Sequence, residues 1–138
     1  MDVNVLIALL DRDHVHHDRA ADWFAAEGSA AWATCPITQN GVLRIMSGPR
    51  YPNSLGAPAA VAPVLRRLLR YGAHQFWRDN LSLLDESVVD AERLLSSRQV
   101  TDTYLLALAR AHGGRLATFD VRLVAQAVPG GAQALHVL

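Results

Sequence analysis

The sequence predicts an α/β sandwich built around a mostly parallel sheet. Strand-like runs alternate with helically periodic ones along most of the chain, the pattern left by strand–helix–strand crossovers. The 138 residues suit one domain, taken as 1–138, and leave no room for two ordinary ones. Hydrophobic residues make up 51% of the chain, enough to bury a sizeable core.

In chain order, residues 5–10 read as a short buried helix with Asn4 at its cap. A break at Asp13-His14-Val15 precedes an amphipathic helix over 16–26, with Ala20, Trp23 and Phe24 on one face and Gly28 ending it. Residues 31–34 form a short strand. Thr38 is expected to cap a helix through Ile45, with Val42, Leu43 and Met46 at helical spacing. Gly48, Pro49, Pro52, Gly56 and Pro58 mark a loop over 47–58. Residues 60–71 read as a helix that tolerates Pro63 only in its first turn. Its Leu65, Leu68 and Leu69 face one way, an apolar stripe suited to part of an interface; Arg66, Arg67 and Arg70 largely face another. Strand character returns at 74–77 and 81–84, and a short helix is expected over 88–95. The clearest helix spans 101–111, capped by Thr101 and stopped by Gly113-Gly114. A strand at 115–119, a helical turn at 121–125 and a final strand at 135–138 complete the pattern. The large aromatics Trp23, Phe24, Trp32, Phe76 and Trp77 are assigned mostly to the core.

Formal charge sums to zero, which argues against a nucleic-acid coat protein but not against an enzyme that touches a few phosphates. All 13 basic residues are arginine, each a planar, permanent charge suited to phosphate or carboxylate. Cys35 is the only cysteine, so an intrachain disulfide and a cysteine-based zinc site are excluded. The apolar run over 3–10 is too short to span a membrane and no signal peptide is visible, so a cytoplasmic location is expected.

Three aspartates occupy comparable places in the pattern. Asp2 lies where a first strand would pass into the first helix, Asp102 follows the expected cap of the clearest helix, and Asp120 directly follows a strand. In a parallel sheet, strand ends and the starts of the following helices share one edge, where ligands bind. Clustered carboxylates repel one another, and a divalent cation removes the conflict. Oxygen donors select hard ions such as Mg²⁺ or Mn²⁺, which activate water and offset charge on a phosphodiester. Each acid also has a plainer reading: Asp102 as a partner of the helix dipole, Asp120 as a turn residue, Asp2 as a helix-start residue. Spacing alone leaves both readings open.

The strings around these acids carry a resemblance. Asp2-Val3-Asn4-Val5-Leu6, the segment from Thr34 to Ile45, Thr101-Asp102-Thr103-Tyr104 and Leu116-Ala117-Thr118-Phe119-Asp120 resemble, in order, the four motifs of PIN domains, and of VapC-type toxins in particular. The resemblance covers nearly the whole chain. It implies a PIN-like three-layer α/β/α fold and an RNA endonuclease with bound Mg²⁺, Mn²⁺ being an alternative. It further implies a homodimer held in check by a cognate VapB-type antitoxin. By the same resemblance Asp2, Asp102 and Asp120 are the catalytic, metal-binding acids, Asn4 supports the site, and Thr118 hydrogen-bonds an aspartate or a metal-bound water. Gln39 stands where the family usually has glutamate; its carbonyl can ligate but carries no charge, so weaker metal binding is expected. Arg44 recurs in the second motif and suits either an active-site acid or an RNA phosphate equally.

Two rival readings accompany this one: a non-catalytic binding module of the same fold, and a housekeeping RNA-processing nuclease. His14, His16 and His17 read as a helix-start surface before a metal site, because adjacent histidines point to different sides of a helix. Since a PIN domain's first acid ends a central strand, and only Met1 precedes Asp2, a first strand truncated at the N-terminus is expected.

Overall fold

A computed structural model describes all of residues 1–138. The chain divides into two compact units, one of Met1 and Val3–Arg78, the other of Asp2 and Asp79–Leu138. Both are α/β, and every strand pairing in them is parallel.

The first unit starts with helix α1, Val3–Leu10, whose consecutive Val5, Leu6, Ile7 and Ala8 are all buried. A helix apolar all round belongs inside. It begins earlier than the sequence suggests, so Asn4 lies within it, exposed, instead of capping it. Helix α2, His17–Ala26, buries Ala20 and Phe24, and strand β1, Trp32–Thr34, is buried throughout. Helix α3 runs Pro36–Met46. Its cap is Cys35; Thr38, expected at the cap, is the third helical residue and accepts a 3.0 Å hydrogen bond from the Cys35 N–H. Proline at the first helical position costs no hydrogen bond, so both α3 and α4, Pro58–Leu68, begin on one. That start places Pro63 beyond the first turn of α4, contrary to expectation.

Val61 and Leu65 of α4 are buried against Leu6, Phe24, Trp32 and Val42, and Leu68 and Leu69 pack on the same cluster. The leucine stripe therefore packs on this unit's own core, with Leu68 and Leu69 keeping part of their surface exposed. Phe24 meets Trp32 edge-on at 5.2 Å, a favoured aromatic geometry. Strand β2, His74–Phe76, pairs with β1 in the register Trp32↔His74, Ala33↔Gln75 and Thr34↔Phe76. Gly72 makes the preceding turn possible: its φ is +66°, and a Cβ there would lie 2.2 Å from the Ser29 carbonyl oxygen. Phe76, assigned to the core by sequence, is 53% exposed. The Met1 ammonium donates to the Ala33 carbonyl at 3.1 Å.

The second unit is built on helix α5, Gln99–Ala111, in which Thr103 through Ala109 are buried without a break. The helix starts two residues before Thr101, so Thr101 is not its cap and Asp102 is its fourth residue. Strand β3, Leu116–Thr118, pairs with β4, Leu135–Val137, in the register Leu116↔Leu135, Ala117↔His136 and Thr118↔Val137. The segment over 81–84 forms no strand, the helix expected over 88–95 shrinks to a 3₁₀ turn at Ala91–Arg93, and the turn expected over 121–125 becomes one at Ala125–Ala127. The Asp2 N–H donates to the Ala117 carbonyl at 2.9 Å, which ties the acid to β3 although no regular strand forms at residues 1–2.

Candidate active site

The second unit brings together Asp2, Asp102, Thr118 and Asp120. Thr118, fully buried at the end of β3, donates its hydroxyl proton to Asp2 Oδ2 at 2.9 Å and accepts the Asp120 N–H at 3.1 Å. One hydroxyl thus fixes both a side chain and the backbone of the next acid. Asp2 is itself buried, with its amide committed to Ala117. Asp120 begins an Asx turn, its Oδ1 accepting the Arg122 N–H at 2.8 Å, with the Arg122 guanidinium Nε 3.8 Å away in solvent.

Asp102 records the electrostatic state of the cluster. Burial, then the charges of Asp2 and Asp120, push its carboxyl up to about 6. A carboxyl raised by two neighbouring carboxylates is the signature of like charges held together. The acids nevertheless do not converge on one point: no group of three His, Cys, Asp or Glu side chains is gathered tightly enough to hold one ion. The site fits a divalent cation in donor chemistry and charge, with hard oxygens and surplus negative charge.

The remaining sequence-derived candidates lie in the first unit. Gln39, on the first turns of α3, donates its side-chain amide to Thr34 Oγ1 at 2.9 Å. Thr34 in turn meets His74 Nε2 at 2.9 Å. Arg44, near the end of α3, is exposed and makes no ion pair; Asn4 is exposed on α1.

A PIN-domain family model matches residues 1–128, nearly the whole chain. The chain belongs to the PIN-domain family. Over 133 residues, 96% of this PIN-domain chain and 93% of the relative, it is 50% identical to "Ribonuclease VapC44" of Mycobacterium tuberculosis. It is 43% identical to "Ribonuclease VapC38" of the same species over 121 residues, covering 87% of this chain and 83% of the relative. A third mycobacterial relative, "Ribonuclease VapC39", is 41% identical over 135 residues, 98% of this chain and 97% of its own length.

Sequence reading missed two polar groupings in this PIN-domain protein. Asp11, buried just past α1, accepts hydrogen bonds from the Tyr51 hydroxyl, from Asn53 Nδ2 at 2.8 Å and from the Asp13 N–H at 3.0 Å. Burial pulls its carboxyl up, but those three donors and the nearby His14 together hold it below the usual range. The other is His74, whose partner Thr34 lies forty residues away and is reached only through the β1–β2 register. Tyr51, Asn53 and His74 occupy no motif, so only a forecast of loop and strand pairing would have found them. The histidines at 14–17 do not converge on an ion: His17 Nδ1 bonds the Ala8 carbonyl at 2.7 Å, and His14 Nδ1 accepts the His16 N–H at 3.1 Å.

Proposed function

We propose that this PIN-domain protein is a metal-dependent endoribonuclease of the VapC type, the toxin of a toxin–antitoxin pair, and that Asp2, Asp102 and Asp120 are its catalytic, metal-holding acids. The observation that carries the reading is the nearness of these three acids, with Asp102 raised by burial and then by the charges of the other two, in a chain whose relatives bear ribonuclease names. A single domain with α/β/α layering over 1–138 belongs to the proposal, supported by one family model running through both units.

Bound Mg²⁺, or Mn²⁺ in its place, supplies an activated water and offsets charge on the phosphodiester. The chain's own contribution is placement. Thr118 holds the Asp2 carboxylate in one orientation and anchors the backbone of Asp120. Asp102, near the positive end of α5, has a carboxyl raised to about 6, which suits it to exchange a proton for a cation near neutral pH. Arg44, exposed and without an ion pair, suits an RNA phosphate better than an internal acid. Asn4 and Gln39 complete the set as supporting residues.

A VapB-type antitoxin and a second copy of the chain are the proposed protein partners. No helix is long and apolar enough to cross a membrane. Incubation with a defined RNA panel tests the reading. Cleavage with Mg²⁺ or Mn²⁺, lost on chelation and in Asp102→Asn, is expected. Cleavage at the wild-type rate by a well-folded Asp102→Asn protein overturns the catalytic assignment.

A further inference from the structure

Thr34 is buried at the end of β1, and its hydroxyl has two side-chain partners, the Gln39 amide nitrogen and His74 Nε2, each at 2.9 Å. A hydroxyl carries one proton and two acceptor sites. The Gln39 N–H occupies an acceptor site, so the Thr34 proton must go to the remaining partner if it is to be used at all. Buried hydroxyl protons are almost always used. His74 Nε2 must then be a bare nitrogen, with the ring proton on Nδ1. We propose that Gln39, Thr34 and His74 form a one-way hydrogen-bond relay, running from amide to hydroxyl to imidazole, that leaves the Gln39 carbonyl Oε1 as the free end of its amide.

The relay has two possible directions, and the residue at position 39 chooses between them. With glutamine, the amide donates and His74 accepts. With glutamate, position 39 can only accept, so the Thr34 proton turns toward it and His74 must donate through Nε2. The Gln39 amide hydrogen bond selects the first direction, and two features of His74 are in keeping with a neutral, fixed ring. His74 is half-buried, and burial, followed by the Met1 ammonium, holds its imidazolium form below the ordinary histidine range. The ring also packs against Trp32 with centroids 4.5 Å apart, which fixes the plane in which Nε2 faces Thr34. A neutral imidazole with one bare nitrogen satisfies all of these contacts.

Amide polarity matters because the two ends of a glutamine differ in kind. With its N–H committed to Thr34, the amide's other end is an oxygen, a neutral hard acceptor. The reverse leaves a donor there. Thr34 and His74 therefore act as positioning residues for Gln39. This significance rests on the proposed nuclease reading, in which Gln39 is a supporting residue, whereas the relay itself rests only on the hydrogen bonds.

The test is the tautomer of His74, read by long-range ¹H–¹⁵N correlation on labelled protein without RNA or added metal. The signal is assigned by its loss in His74→Gln. At neutral pH the wild type is expected to show Nδ1 protonated and Nε2 bare. Thr34→Ser, which keeps the hydroxyl, should preserve that pattern, and Thr34→Val should lose the tautomer preference. Gln39→Glu should invert the pattern, with Nε2 protonated. A wild-type His74 carrying its proton on Nε2, an unchanged pattern in Thr34→Val, or a bare Nε2 in Gln39→Glu each overturns the relay. A protein with the expected tautomer that fails to cut RNA overturns the nuclease reading alone. One that cuts RNA with the opposite tautomer overturns the relay alone.

Discussion

Asp102 links folding to the proposed chemistry through a single proton. Its carboxyl sits at about 6 in the fold against 3.8 for an unperturbed aspartate. The protonated form is thus the one the fold prefers. Stability from this group is complete below about pH 4 and lost as the pH rises through about 6. Asp102→Asn fixes a neutral side chain, so it should match the wild type near pH 3 and exceed it at pH 8. With solvent screening of a half-exposed group, the gain is about 1 kcal/mol. Thermal melts at the two pH values check this; equal stability at pH 8 would mean that neither burial nor the charges of Asp2 and Asp120 penalise the ionised Asp102. Thr118→Val removes both the donor to the buried Asp2 carboxylate, at about 1–3 kcal/mol, and the acceptor for the part-buried Asp120 N–H, which water replaces more cheaply. Denaturant titration should show that loss, and Thr118→Ser should recover most of it. That the three acids and Thr118 lie near one another was legible because each sits in a contiguous string. The His74 partner of Thr34 was not, because no local signal specifies which strand pairs with 32–34.

Among elements, the long buried runs were the easiest to read and their ends the hardest. Residues 103–109 are buried on every side, so α5 was evident, yet its start moved to Gln99. The segment 81–98 was misread as strand and helix for a physical reason. Its Ser and Asp side chains bond nearby amides, Ser82 to Leu84, Asp85 to Ser87, Asp90 to Glu92 and Ser96 to Arg98. Such local bonds satisfy the backbone without a helix or a ladder. Pro63 was misplaced because Pro58 is the better helix start. Gly72 gives the sharpest element-scale prediction. Gly72→Ala must adopt a left-handed φ and push its methyl into the Ser29 carbonyl, so the turn into β2 should open. A loss of about 2 kcal/mol in urea unfolding is expected; an unchanged midpoint would mean that the turn relaxes freely.

At the scale of the whole molecule, composition excluded classes and the order of elements and motifs supplied the fold. The alternation of strand-like and helically periodic runs made an α/β protein the default, and the family match over 1–128 agrees. The sequence left open how far the acids close on an ion, since side-chain rotamers carry no sequence signal. Metal should therefore act on global stability. A ligand at 100 times its dissociation constant stabilises a fold by about 2.7 kcal/mol. Added Mn²⁺ should raise the melting temperature of the wild type and leave Asp102→Asn nearly unmoved. An equal rise in both would place the bound ion elsewhere.

The bonds from Tyr51 and Asn53 to Asp11 have a consequence for proteolysis. The stretch 47–57, rich in Gly and Pro, is the kind of exposed connection that proteases nick first. Here it is tethered at two points to one buried carboxylate. Because that carboxyl lies below its usual value, the tether holds at and above the ordinary aspartate range and releases only as the pH falls beneath it. Wild-type protein should resist thermolysin within 47–57 at neutral pH, whereas Asp11→Asn, which cannot accept both donors equally well, should be cut there. Mass analysis of the fragments locates the cut, and an intact variant chain would show that the loop is held by its own packing.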